Sequence, residues 1–161
     1  MTHKLVTLLA LASSQRAQTL EFIDVNSIMF GEDLVTIPIY KLLKTSTVKN
    51  NKFSLKLKSY DKFPNICVVR ALKVYISRTK SLRGSETKLF ISFVKPHYAV
   101  SRSTISRWIK SVLEEAGIDI DVFKAHSTRS ASCAMAKRDG VCMDQILKTA
   151  GWSNNRTFKK F

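Results

Sequence analysis

The chain is short of several residue types, and each shortage narrows the class of protein. Its 161 residues include three cysteines, three histidines, five glycines and three prolines. Cys67, Cys133 and Cys142 are odd in number and form no CxxC pair, which argues against a disulfide framework and for a reducing compartment. None of His3, His97 and His126 stands at metal-ligand spacing with those cysteines, so a zinc site has little support. With so little Gly and Pro there is no linker, repeat or low-complexity segment, and the 45% hydrophobic content is enough to build the core of one domain. Acidic residues are also scarce: 12 Asp and Glu face 27 Lys and Arg, a net charge of +15. That excess favours a polyanionic partner (DNA, RNA or an acidic membrane face) over a merely solvated basic surface. No apolar run is long enough to span a bilayer. Lys4, the stretch Leu5 to Ala12 and Ser13-Ser14 have the outline of a short signal peptide, but the charge and the odd cysteine count favour a buried helix.

What is present is mostly helical pattern. Leu5 to Ala12 leads as a helix toward Arg16, and Leu20 to Val25 either continues it or begins an extended stretch. Gly31-Glu32-Asp33 marks a turn. Leu34 to Ile39 is β-branched and Phe53 to Leu57 alternates apolar with polar, so both read as strands of a small antiparallel sheet joined through Lys44 to Lys52. From Ile66 the period becomes helical: Val68, Leu72, Tyr75, Ile76 and Thr79 share a face, with Pro64 just before. Leu89 to Phe93 is a short strand or buried loop. Ser101 or Ser103 caps the next helix, whose apolar face is Ile105, Trp108, Ile109, Val112, Leu113 and Ala116, ending at Gly117. Further helices run from about His126 to Lys137 and from about Met143 to Thr149, closed by Asp139-Gly140 and by Gly151. A last one begins at Thr157-Phe158. The fold class is mainly α with a small antiparallel β-sheet.

Five residues stand out for chemistry: Arg16, Lys44, His126, Arg129 and Trp152. Arg16 lies in Ser14-Gln15-Arg16-Ala17-Gln18-Thr19-Leu20 after an apolar helix, and Lys44 in the turn between two strands. His126-Ser127-Thr128-Arg129 sets a His and an Arg three apart, on one helical face, and Gly151-Trp152 follows at the next helix end. Taken together and in this order they resemble the catalytic domain of the tyrosine recombinases, the phage integrase family. HxxR alone is weak. With the downstream Gly-Trp and the upstream Arg and Lys it is a specific signal covering nearly the whole chain. The stretches 14–20 and 123–129 look closest to the recombinases of DIRS-like retroelements, which implies a nuclear location.

The resemblance implies cleavage and rejoining of duplex DNA, for integration and recombination, through a 3′-phosphotyrosine intermediate, without metal, ATP or other cofactor. Arg16 and Arg129 would hold the equatorial oxygens of the scissile phosphate by charge-assisted, bidentate hydrogen bonds. Lys44 would protonate the leaving 5′ oxygen, His126 would move a proton or donate to phosphate, and Trp152 would offer its indole N–H. Thr19 stands where many members carry an acidic residue supporting the first arginine. The family's nucleophile would fall at or just beyond Phe161, yet the four tyrosines are Tyr40, Tyr60, Tyr75 and Tyr98. Two accounts stay open: the sequence stops at the nucleophile's position, or Phe161 replaces the Tyr. On either account the chain as given would not cut DNA. The expected domain is 1–161, cut at its C-terminal end and without the family's N-terminal core-binding domain. Self-association on DNA would suffer, since the family exchanges its C-terminal helix between protomers.

Backbone phosphate contacts are assigned to Lys49, Lys52, Lys56, Lys58, Arg102, Arg107 and Lys124. Taken singly, blander readings are stronger: Arg16 as a surface residue, His126 as a cap, Trp108 as core, Cys133 and Cys142 as small buried hydrophobes. A second function class is a non-catalytic DNA-binding module, from a decayed or domesticated recombinase, since Ser132 to Phe161 reads as helix, turn, helix. A helix-turn-helix reader has no use for Arg16 and Lys44. An RNA-binding role is weaker, because no RNP-like aromatic motif or GXXG loop is present.

Overall fold

The apolar stretch near the N-terminus is the hub of the fold. In the computed structural model, which describes residues 1–40 and 53–151, it forms helix α1, Thr2–Ser13. Leu5, Val6, Leu9 and Ala10 are fully buried, and α1 packs against the helices α3 (Val68–Thr79), α4 (Arg102–Glu115) and α5 (Ser127–Arg138). This places one face of 5–10 in the core, while Leu11 and Ala12 are exposed. Among the described residues no helix is long and apolar enough to cross a membrane.

α1 does not run on into residues 20–25, nor do they become extended. Ser14 takes a left-handed backbone (φ 52, ψ 31) and a separate short helix, α2, spans Ala17–Glu21. The break sets Arg16 at the start of α2, with extended φ −80 and ψ 155. A left-handed non-glycine residue is strained. Ser14→Gly is therefore expected to stabilise the chain by about 0.5–1 kcal/mol, the relief of that strain less the entropy glycine adds to the unfolded state. A denaturant midpoint that stays put or falls would refute this.

Strands β1 (Met29–Phe30), β2 (Leu34–Ile39) and β3 (Phe53–Lys58) form an antiparallel sheet in the order β1-β2-β3. Val35 pairs with Leu57 and Ile37 with Leu55, and all four side chains are buried. The register turns the alternate residues outward, so Lys56 and Lys58 are exposed opposite Thr36 and Leu34. A slip of one residue would exchange those faces. Two-residue β1 lies below any periodic signal and was not foreseen. Lys44, Lys49 and Lys52, and the rest of the connection that holds them, lie outside the described residues.

Helix α3 buries the expected stripe of Val68, Leu72, Tyr75 and Thr79. Beyond it, Arg83 is 9% exposed and donates to the carbonyls of Lys88 (2.7 Å) and Leu89 (3.2 Å) and to the Thr79 hydroxyl. It straps the turn after α3 against Leu89, Phe90 and Ile91, which are buried; Ile91 bridges Ala99. Burial pulls the Arg83 pKa below its usual value. Ser101, not Ser103, caps α4, its hydroxyl accepting from the Thr104 N–H. Trp108 belongs to the core and stacks on Phe93 at 5.0 Å, but Ala116 is exposed, so the apolar face of α4 is shorter than its pattern.

Helices α5 and α6 (Met143–Ala150) form an antechamber of their own. Cys133, Ile146 and Ala150 make a second small core, separate from the main one. Gly151, at φ 67, closes α6 in the left-handed conformation that glycine adopts without strain. Cys142 is exposed, contrary to its expected burial, because it stands at the N-cap of α6 in extended backbone (φ −62, ψ 146), outside the helix itself.

Candidate functional site

One chain break and two helix starts build the site. The Ser14 turn delivers Arg16 at the start of α2, and α2 packs on α4. α5 packs on α1 and begins just after His126, which occupies its N-cap position, so Arg129 falls in the first turn. Its N–H bonds the His126 carbonyl at 3.2 Å. The first turn of α4 brings Arg102, Ser103 and Ser106 to the opposite side. These elements enclose a cleft of about 510 Å³ whose lining includes Arg16, Arg102, His126 and Arg129.

The arginines are not equivalent. Arg16 and Arg102 are exposed, whereas Arg129 is only 6% exposed. Burial lowers the Arg129 pKa to about 10, with the Arg16 guanidinium pushing the same way and the Cys133 thiol opposing. At neutral pH Arg129 still carries its charge. A buried cation facing a second cation, with His126 and two serines beside them, is a pocket that favours an anion.

The structure thus brings together Arg16, His126, Arg129 and Arg102 among the sequence-predicted residues. Lys56, Lys58, Arg107 and Lys124 are exposed and do not line the cleft. Lys124 lies 3.8 Å from Asp121 and donates to the Ile120 carbonyl. Trp152 and Phe161 lie outside the described residues, as does the expected last helix. A larger cleft, about 620 Å³, sits beside His3, Ile66, Phe93 and Val112, but none of the predicted site residues line it. Thr19 does not approach the site as a support for Arg16; it is buried and its hydroxyl donates to Gln15 Oε1 at 3.1 Å. Gln15 itself went unnoticed in the sequence. The only signal was a glutamine between a buried serine pair and an arginine.

The pattern of the phage integrase family matches the chain over residues 1–161. The chain belongs to the phage integrase family. Solved structures agree on the fold. XerH site-specific recombinase, in a pre-cleavage complex with its difH substrate, superposes with a TM-score of 0.75 at 13% identity, over 98% of this chain and 41% of that one. XerA recombinase gives 0.72 at 19% identity, over 98% and 50%. The lambda integrase catalytic core gives 0.61 at 17% identity, over 93% and 82%. The chain therefore spans half or less of the two Xer recombinases and most of the lambda integrase core. No curated protein sequence matches it. The fold is that of the catalytic domain of tyrosine recombinases, mainly helical with a small three-stranded antiparallel sheet.

Proposed function

We propose that this integrase-family chain binds duplex DNA and holds the scissile phosphate of a recombination reaction in the cleft between α2, α4 and α5. One observation carries the reading: Arg16 and Arg129, 113 positions apart in sequence, line one cleft, where burial and then the Arg16 charge lower the Arg129 pKa. Structural proteins bury polar groups in satisfied pairs of opposite sign. Two guanidiniums of like sign lining one cleft favour an anion there. XerH, the fold relative bound to its difH substrate, supports the assignment of DNA as that anion.

The chemistry follows from the residue types. In-line displacement at a phosphodiester puts charge on its equatorial oxygens, which the two arginines stabilise. His126, at the exposed mouth of the cleft, is placed to donate to the phosphate or to move a proton. Lys44 protonates the departing 5′ oxygen and Trp152 adds an N–H donor. The reaction also needs a tyrosine nucleophile to form the 3′-phosphotyrosine bond, and position 161 holds Phe. Outward-facing Lys56 and Lys58, with Arg102, Arg107 and Lys124, contact the DNA backbone. The DIRS-like subtype and a nuclear location are part of the same proposal and rest on the wording of 14–20 and 123–129.

The reading predicts steep salt dependence. The logarithm of duplex affinity should fall linearly with the logarithm of salt concentration, by about 0.9 for each phosphate neutralised. Anisotropy titrations across a salt series measure it. Salt-independent affinity, or no binding to DNA, would sink the proposal.

A further inference from the structure

We propose that Gln15 is a positioning residue for this pocket, locking the Arg16 turn onto the C-terminal end of α6. The inference rests on the phosphate-site reading above. Gln15 is 4% exposed, and both ends of its amide are used. Nε2 donates to the Thr149 carbonyl at 2.7 Å and more weakly to the Ser13 carbonyl at 3.3 Å, while Oε1 accepts from the Thr19 hydroxyl at 3.1 Å.

The bond to Thr149 crosses 134 positions of sequence. Thr149 is in the last turn of α6, where carbonyls have no partner within their own helix. A side chain from the far end of the chain therefore caps α6. Its neighbour is Arg16, and the residue after the α6 cap glycine is Trp152. An apolar side chain of the same size would fill this space without the cost of burying an amide. What the amide adds is direction. It fixes the Arg16 turn against α6, α6 packs on α5, and α5 carries Arg129. The frame closes between the two guanidiniums, with Thr19 holding the amide in the orientation that aims Nε2 at Thr149.

A double-mutant cycle on the full chain tests this, using a short duplex of mixed sequence as the probe. Thermal melts confirm that each variant is folded at the temperature of the titration. Gln15→Leu is expected to weaken duplex affinity roughly tenfold, the loss of about one charge-assisted contact, and to lower the salt slope by about 0.9. In an Arg16→Ala background the same change should cost nothing further. Thr19→Val should reproduce part of the loss, and Thr19→Ser, which keeps the hydroxyl, should not. Should Gln15→Leu prove unfolded, Gln15→Glu and Thr19→Val carry the cycle, the glutamate keeping the acceptor but losing the donor to Thr149. An equal loss with and without Arg16, or full affinity in a folded Gln15→Leu, would overturn the role of Gln15 and leave the phosphate site standing. Unchanged affinity and slope in Arg16→Ala alone would instead overturn the phosphate reading, and the positioning role with it.

Discussion

Arg129→Ala is expected to lower covalent capture of DNA by at least about 100-fold in a version of the chain that carries a tyrosine at or just after position 161. Arg129 is the buried member of the pair, 6% exposed and set on the first turn of α5. It is held in place before any DNA arrives, so its hydrogen bonds to a developing phosphorane need no reorganisation. A preorganised donor of this kind contributes roughly 2.7–4 kcal/mol to transition-state stabilisation. Arg102 lines the same cleft but is exposed on a mobile class of side chain, and Arg102→Ala should cost much less. The measurement is denaturing electrophoresis of the protein–DNA adduct formed on a nicked duplex. Undiminished adduct in Arg129→Ala would contradict the pocket.

The second large effect runs the other way. Arg129→Met, which keeps the volume and removes the charge, is expected to raise the stability of the DNA-free chain by roughly 1–3 kcal/mol, with Tm rising about 2–4 °C per kcal/mol. The sign follows from linkage. In the folded chain Arg129 titrates near 10, below its ordinary value, so the native state binds this proton less tightly than the unfolded state. The penalty is fully present below the folded pKa and fades only as pH rises above about 10 toward the ordinary guanidinium value. A shift of this size corresponds to a penalty on the order of 3 kcal/mol at neutral pH. Inorganic phosphate or DNA should relieve it, raising the Tm of the parent chain more than that of Arg129→Met. A variant that melts lower than the parent, with the same response to phosphate, would show that Arg129 is stabilising where it sits.

Much of the fold could be read from period alone. Val35 and Ile37 alternate with outward residues, and Val68, Leu72 and Tyr75 repeat by turns, because burial on one face imposes those spacings. The break at Ser14 could not be read this way. Nothing local distinguishes a serine that turns left-handed from one that continues a helix; the packing of α2 on α4 decides it. The site was partly legible for a related reason. Arginine and histidine carry their chemistry in their identity, so Arg16, His126 and Arg129 could be picked out before their convergence was seen. Gln15 acts by a bond to a backbone carbonyl 134 positions away, and a carbonyl has no residue type. Cys142 misled because a cysteine at a helix start looks in sequence like one in a core.

Among the described residues, Cys133, Ile146 and Ala150 form a small core under α5 and α6 apart from the one around α1. Arg16 rides on α2, which packs on α4, and Arg129 on α5, which packs on α1, so the cleft lies where elements held by different contacts meet. A polyanion seated across it would act as a staple, and DNA would then add to the domain's own cohesion rather than visit a finished surface.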